Sequence, residues 1–539
     1  MPDLIIKNVS VIDGTGRPAF ASDIGITGGR ISHVAANLNL DSPEILDGKG
    51  LTLCPGFIDI HTHSDFTLLL SPGAESRITQ GVTTEVTGNC GGSPGPVCED
   101  FREAFMEYMS DLGKHYKREL NPEDWNWNSL DEFYTRLSEQ GTALNIVPLV
   151  GHSTLRANVM GYSDRPPRPD EIQKMKALLR DEMEKGIFGL SSGLVYHPGA
   201  FAQKGEMAEL AGVLPRYEGV YSTHMRSEGK FLFEAVDEAL SVARKSGASL
   251  EISHLKCESP AIWGKGALLL EKIDQARGEG LDVHFDQYPY TAYSTGLIEI
   301  FPTWAKEAGA SRLKQILSNP KTRKQVARDM TSMDWDNPME GLSWEDVLLT
   351  GFSLPENKGL NGSTVAEAAR AKTCDPIETL FTLFCEEKDG LGMIVFAMSE
   401  EDLMTILQHP MGMIGSDGCS VTPGGITGRV PVHPRYYGTF PRVLARYVRK
   451  KKILSLELAV YKMTGLPAQK LGLKDRGRIE KGMAADLVLF DPDKVLDRAD
   501  FTRPHQTAQG IPHVFVNGRA VVRDGALTGD RPGKRLYKN

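Results

Sequence analysis

Through the middle of the chain, short β-branched and apolar runs alternate with longer stretches of helical periodicity. Most of the short runs end on a side chain that can bind a metal. Gly56-Phe57-Ile58-Asp59-Ile60 leads into His61-Thr62-His63, and Thr83-Thr84-Glu85-Val86-Thr87 leads to Cys90. Val220-Tyr221-Ser222-Thr223 precedes His224, Leu250-Glu251-Ile252-Ser253 precedes His254, and Met413-Ile414-Gly415-Ser416 precedes Asp417. Three further runs are Leu144–Val150 before Gly151-His152, Phe188–Gly193, and Leu281–Asp286. Between them, Asp170–Lys185 and Leu232–Ser246 carry helical patterns. Strands alternating with helices predict parallel β/α units. The strand ends at His63, Cys90, His152, Ser192, His224, His254, Asp286 and Asp417 number eight, as an α/β fold of the (β/α)8 TIM-like barrel type requires.

The two ends of the chain read differently. Leu4–Ile6, Val9–Ile12, Ser22–Ile26 and Arg30–Val34 are short strands separated by Asp13-Gly14-Thr15-Gly16 and Gly28-Gly29 turns. The same character returns at Ala485–Phe490, His513–Gly518 and Arg519–Val522. One small β-sandwich domain assembled from residues 1–54 and 475–539 is therefore expected around a barrel of residues 55–474. Asp286 and Asp417 are 131 residues apart, far more than one crossover helix needs. An insertion is expected at about residues 297–392, before the last barrel strand, with an extra strand-like run at Met393–Met398. Insertions on this face of a barrel form lids or pocket walls.

Side chains two apart on a strand point the same way, so His61 and His63 can grip one ion together. A lone His-x-His is weak evidence, but six ligand-type residues at successive strand ends are hard to explain by packing. His, Cys and carboxylate donors are the ligands of zinc, which lowers the pKa of bound water to roughly 7. A carboxylate beside that water can take its proton and deliver it to a leaving amine, and Asp417 is the natural candidate. No Gly-x-Ser-x-Gly nucleophile turn, dinucleotide fingerprint or phosphate-binding loop is present, which leaves metal-assisted hydrolysis.

Bulk properties narrow the class further. The composition is 40% hydrophobic, 24% charged and 8% aromatic, ordinary for a folded protein. A net charge of −9 argues against nucleic acid or an anionic membrane as partner. Arg446, Arg449, Lys450, Lys451 and Lys452 form the one notable basic cluster, read as a solvated helix end. No stretch is long and apolar enough to span a membrane, and no secretion signal is evident at Met1–Lys7. Seven cysteines, with no C-x-x-C pair, favour a reduced, cytoplasmic setting over a disulfide framework. A homo-oligomer is compatible with all of this.

Pro55–His63 resembles the first-strand signature of the amidohydrolase superfamily. Gly88-Asn89-Cys90-Gly91, His224–Glu228, Ile252–Lys256, Asp286–Tyr290, Gly415–Gly418 and His433–Phe440 resemble, more closely, the D-aminoacylases, or N-acyl-D-amino-acid deacylases. The resemblance covers essentially the whole chain. It implies a zinc enzyme in which a cysteine thiolate replaces the carboxylated lysine of other relatives. Cys90, His224 and His254 would hold the tight metal. His61, His63 and Asp417 would form a weaker second position that shares Cys90, so one zinc suffices and Asp417 is free to act as base. It also implies that Lys256 and Tyr288, with Ser294 as a third member, grip the substrate's α-carboxylate.

Arg226, two residues past a ligand, is either an anion partner or half of a structural ion pair with Glu228 or another acid. His152 either faces the acyl oxygen, orients a ligand, or is a lone structural histidine. Asp59 shares the alternation of the two histidines and reads best as a buried hydrogen-bonding group. Branches acting on acidic D-residues place an arginine after the seventh strand, whereas Thr295–Trp304 holds no Lys or Arg and does hold Glu299. The expected substrate is a small N-acyl-D-amino acid with a neutral or apolar side chain. The alternatives are a cyclic amide of the dihydroorotase or hydantoinase type, another dipeptide or xenobiotic amide, and a non-catalytic scaffold.

Overall fold

Both ends of the chain meet on the strand Thr52–Pro55. In the computed structural model, which describes residues 1–102, 126–307, 309–332, 334–387 and 390–538, this strand pairs parallel with Leu4–Val11 and antiparallel with Leu487–Phe490. From there a nine-stranded sheet extends through His513–Val516 and Arg519–Arg523 on one side and Phe20–Thr27 and Arg30–Ala35 on the other. Alternation along Leu487–Phe490 explains why the sheet stays in place. Leu487 and Leu489 pack with Ile6, Ile24, Leu53 and Phe515, while Val488 and Phe490, on the opposite face, join the main core. Leu4–Ile6 and Val9–Ile12, expected as two strands, are one strand with a register shift between Ile6 and Val9. Asn8 absorbs that shift at φ 59°, a conformation asparagine tolerates better than most residues.

Eight parallel strands follow: β1 (Phe57–Asp59), β2 (Val82–Thr87), β3 (Asn145–Pro148), β4 (Gly189–Gly193), β5 (Val220–His224), β6 (Ser249–Ile252), β7 (Val283–Gln287) and β8 (Gly412–Ile414). β1, β2 and β3 pair in that order. Just past β3, Val150–Gly151 pairs with β4, and the parallel series then runs β4–β5–β6–β7–β8. Beyond the ends of β8 and β1, Gly418 and Thr62 form a further parallel bridge. This order is consistent with a barrel. The predicted helices fall at Pro169–Glu184 and Leu232–Ser246. The second buries Leu232, Ala235, Val236, Ala239, Leu240 and Ala243 at three- and four-residue spacing and stops at Gly247, φ 71°.

Between β7 and β8 the chain forms a three-stranded antiparallel sheet of Tyr293–Gly296, Gly392–Val395 and Val347–Thr350, with Gly392–Val395 in the centre. This segment has its own apolar core, including Leu297, Phe301, Leu313, Leu349, Phe381 and Met393. Its first strand starts at Tyr293, ahead of the expected boundary near 297. The basic cluster is only partly solvated. Arg446 pairs with Glu400 at 2.9 Å, and Arg449 donates to the carbonyls of Pro492 and Val495. Among the described residues, no helix is long and apolar enough to cross a membrane.

Candidate metal centre

The C-terminal ends of the parallel strands converge on one cluster. The Asp417 amide donates to the His61 carbonyl at 2.9 Å and the His63 amide to the Gly418 carbonyl at 2.8 Å, joining the first and last strand ends. Asp59 fastens the same joint, accepting from the Ser416 amide at 2.8 Å. Its other oxygen lies 3.6 Å from buried Arg77, which also pairs with Glu85 at 2.8 Å. Cys90, His254 and Asp417 have φ of 51°, 38° and 50°, so three ligand-type residues occupy the left-handed region. Each such non-glycine residue costs on the order of 1–3 kcal/mol, and strain of this kind concentrates where side-chain direction matters. Gly415 is required for a different reason. A Cβ there would sit 2.5 Å from Asp286 Oδ1 and 2.8 Å from the His61 Cβ.

Three sets of donor atoms lie within 4.8 Å of one another: His61, Cys90 and His254; His61, His63 and Asp417; and His224, Glu228 and His254. His61 Nε2 is 3.3 Å from Cys90 Sγ, and His254 Nε2 is 3.6 Å from it. His63 Nε2 is 3.0 Å from Asp417 Oδ1. His224 is grouped through Glu228 and His254, not with Cys90 directly. Its ring packs 4.5 Å from that of His254 and 4.9 Å from Tyr196.

The outer nitrogens of two histidines are held by carboxylates that the sequence reading did not assign. His61 Nδ1 is 3.1 Å from Asp286 Oδ2, and His254 Nδ1 is 2.8 Å from Glu228 Oε1. Lys256 Nζ also lies 3.0 Å from His254 Nδ1, but an ammonium only donates, so the Nδ1 proton points at Glu228. That fixes the tautomer and turns each Nε2 toward Cys90, the arrangement that orients metal-bound histidines.

Electrostatics agree. Burial lowers the pKa of His61 to about 4 and depresses those of His224 and His254, so all three are neutral at pH 7. Burial, with the Asp417, Glu228 and Asp286 carboxylates, pushes the Cys90 thiol well up. Burial opposes ionisation of Asp417, but Arg435, the hydrogen bond from His63, and the other histidines outweigh it and hold the carboxyl well down. Neutral imidazoles, an ionised carboxylate and a thiol whose anion needs a nearby positive charge suit a borderline-soft divalent cation. The buried Nδ1 of His224 has no hydrogen-bond partner among the described residues, a second sign that a donor here is meant for an ion.

Beside the cluster lies an open cavity lined by His224, His254, Asp417, Lys256, Tyr288 and Ser294 among others. The Tyr288 hydroxyl is buried with no hydrogen-bond partner among the described residues. Lys256 pairs with Glu228 at 2.6 Å, and Arg435 lies over the Tyr288 ring at 4.9 Å while reaching Asp417 at 2.9 Å. Arg435 was missed as a site residue, although it stands in the His433–Phe440 motif. Two candidate residues take the structural alternative left open for them. His152 is fully buried away from the cavity lining, 2.8 Å from Glu206, which also binds Arg156 at 2.7 Å. Arg226 lines the cavity, but its guanidinium is taken by Glu238 at 3.0 Å and by the Ala200 and Ala202 carbonyls. Its acid is thus Glu238 and not Glu228. Glu299 also faces the cavity, but Lys306 pairs with it at 2.5 Å, so it is not a free repelling charge.

A model of the amidohydrolase family matches residues 44–522. The chain belongs to the amidohydrolase family. It is 36% identical over 539 residues to an N-acyl-D-glutamate deacylase of Alcaligenes xylosoxydans xylosoxydans, covering all of this chain and 97% of that one. The crystal structure of an N-acyl-D-glutamate deacylase from Bordetella bronchiseptica, complexed with zinc and a phosphonate inhibitor, superposes with a TM-score of 0.82 at 32% identity, covering 99% of each chain. A D-aminoacylase described for one-metal activation and second-metal attenuation of its binuclear metal center matches at TM-score 0.80 and 34% identity over the full length of both. The amidohydrolase family thus accounts for the α/β fold, and these two structural neighbours carry metal.

Proposed function

We propose that this amidohydrolase is a zinc-dependent deacylase of N-acyl-D-amino acids, releasing a carboxylate and a free D-amino acid with a neutral or apolar side chain. The observation that carries the reading is the cluster of His61, His63, Cys90, His224, His254 and Asp417 at the ends of parallel strands, with Glu228 and Asp286 behind two of the histidines. Zinc held there supplies Lewis-acid chemistry, activating a water near neutral pH and polarising the acyl carbonyl. Cys90, His224 and His254 form the tight site and His61, His63 and Asp417 the weaker one. Asp417, ionised and oriented by Arg435 and His63, takes the proton of the attacking water and passes it to the departing amine.

Lys256, the unpartnered Tyr288 hydroxyl and Ser294 receive the α-carboxylate. A neutral side chain is favoured because the described cations that line the cavity besides Lys256 already have acid partners, Arg226 with Glu238 and Lys306 with Glu299. Around this site, the eight strands would close as a barrel over residues 55–474, with residues 1–54 and 475–539 as the small β domain and about 297–392 as the insertion. The test is hydrolysis of N-acetyl-D-methionine against N-acetyl-L-methionine by the zinc-loaded protein. Fast, D-selective release of methionine is expected; L-selectivity or inertness toward both overturns the reading.

A further inference from the structure

The insertion contributes a charged pair to the wall of the cavity. Glu299, in the short turn of helix Leu297–Ile300, and Lys306, at the end of Thr303–Lys306, meet at 2.5 Å with side chains only 15% and 8% exposed. Both line the cavity that contains His224, His254, Asp417 and Lys256. Tyr196 links the pair to the metal cluster. Its ring lies 4.9 Å from His224, its hydroxyl lies 3.2 Å from Thr295 Oγ1, and its charge environment includes both Cys90 and Glu299.

A buried ion pair on a pocket wall presents one acceptor and one donor side by side. A substrate carboxylate meeting it is attracted by Lys306 and repelled by Glu299, and a substrate ammonium meets the reverse. An apolar side chain displaces water from both charges and returns nothing. A terminal carboxamide satisfies both at once, its oxygen accepting from Lys306 and its amide hydrogens donated to Glu299.

We propose that the Glu299–Lys306 pair recognises the substrate side chain and selects a terminal carboxamide, so that N-acyl-D-glutamine or N-acyl-D-asparagine is the substrate class. The assignment rests on the deacylase reading of the metal site and narrows its neutral-side-chain preference to a polar one. The specificity comes from solvation: every other side chain displaces water from the pair without supplying both an acceptor and a donor in its place.

The test compares kcat/KM of the zinc-loaded protein on the N-acetyl derivatives of D-glutamine, D-asparagine, D-glutamate, D-lysine and D-methionine. One carboxamide substrate should exceed the other three non-amide substrates by about tenfold or more, the ratio expected for one buried hydrogen-bonding partner lost. Glu299→Gln should shift the ranking toward D-glutamate, and Lys306→Met should shift it toward D-lysine. If Lys306→Met fails to fold, Lys306→Arg must keep the wild-type ranking. D-methionine or D-glutamate ranking first in the wild type overturns the proposal, as does a ranking that neither variant moves. Hydrolysis of none of the five overturns the deacylase reading and this inference with it, whereas D-methionine turnover without a carboxamide preference overturns this inference alone.

Discussion

Glu228→Gln is the sharpest probe of how the metal centre is held. The carboxylate is buried and faces His254 Nδ1 at 2.8 Å, Lys256 Nζ at 2.6 Å and His224 Nε2 at 3.6 Å, with the Glu258 carboxyl also hydrogen-bonded to it. Burial alone would raise its pKa, but His254, Lys256 and His224 reverse that and keep it ionised. Glutamine keeps the shape but has one acceptor oxygen, and its amide nitrogen cannot face an ammonium. Either His254 loses the group that fixes its tautomer or Lys256 is left buried without a counter-charge. Breaking a buried pair from one side costs about 3–5 kcal/mol, and removing a carboxylate behind a metal-bound histidine costs about 10–100-fold in metal affinity. The assay is zinc affinity by competition with a chromophoric chelator, run beside urea denaturation of the zinc-free protein. Adding Lys256→Met should recover most of the lost stability by removing the stranded charge and freeing the glutamine oxygen for His254, yet leave zinc affinity below wild type because a neutral amide polarises and holds the ring less than a carboxylate. Wild-type zinc affinity in Glu228→Gln would refute the orienting role. Recovery of zinc affinity in the double variant would show that repulsion from Lys256, not loss of orientation, was the cause.

Cys90→Ala should lower zinc content measured by atomic absorption and abolish turnover; full activity with full metal content would remove the thiolate from the site. Asp417→Asn should keep the tight metal and lose about 10²–10⁴-fold in kcat, the range of general acid–base contributions; wild-type turnover removes it as the base. His197, whose pKa burial lowers to about 4, is neutral in the folded chain where the unfolded chain is already protonated. Its contribution is therefore present above the unfolded pKa of about 6.5 and is lost as pH falls from there through about 4, at up to roughly 1.4 kcal/mol per pH unit. His197→Asn should flatten this part of the acid denaturation profile relative to wild type, and an unchanged slope counts against the assignment.

The convergence of the candidate donors was legible because each stands within four residues of the end of its strand, and a strand run carries its own direction. His61 and His63 follow from alternation alone. The groups behind them were not legible, because hydrogen-bond partners form across the ends of strands. Asp286 stands 225 residues from His61, and Arg435, at the start of helix Arg435–Arg442, is separated from Asp417 by a loop with no periodicity to orient it. His152 shows the same limit in reverse. Position at a strand end made it a candidate, but Glu206, 54 residues away, claims its ring. The side-chain wall was misjudged by distance along the chain. The cation that neutralises Glu299 is Lys306, two residues beyond Thr295–Trp304.

Strain and charge at the centre bear on one question, which is what the cluster is built to hold. A strand end needs no left-handed residue to continue into a loop, and glycine is available near two of these sites, at Gly91 beside Cys90 and at Gly415 and Gly418 around Asp417. Cys90 and Asp417 nevertheless take that conformation themselves, with His254 as a third case, and so turn their own side chains into the cluster. Once there, burial makes the histidines neutral and makes the thiol hard to ionise, while Asp417 stays charged beside Arg435. Packing alone would favour apolar side chains in such a place, because burying unpaired polar groups is costly. A divalent cation reconciles these features, since it stabilises the thiolate, accepts the neutral nitrogens and balances the carboxylates. Zinc binding should therefore release about one proton per thiol ionised, measurable as buffer-dependent heat in calorimetry. Zinc uptake with no proton release, in the wild type and in Cys90→Ala alike, would place the ion elsewhere.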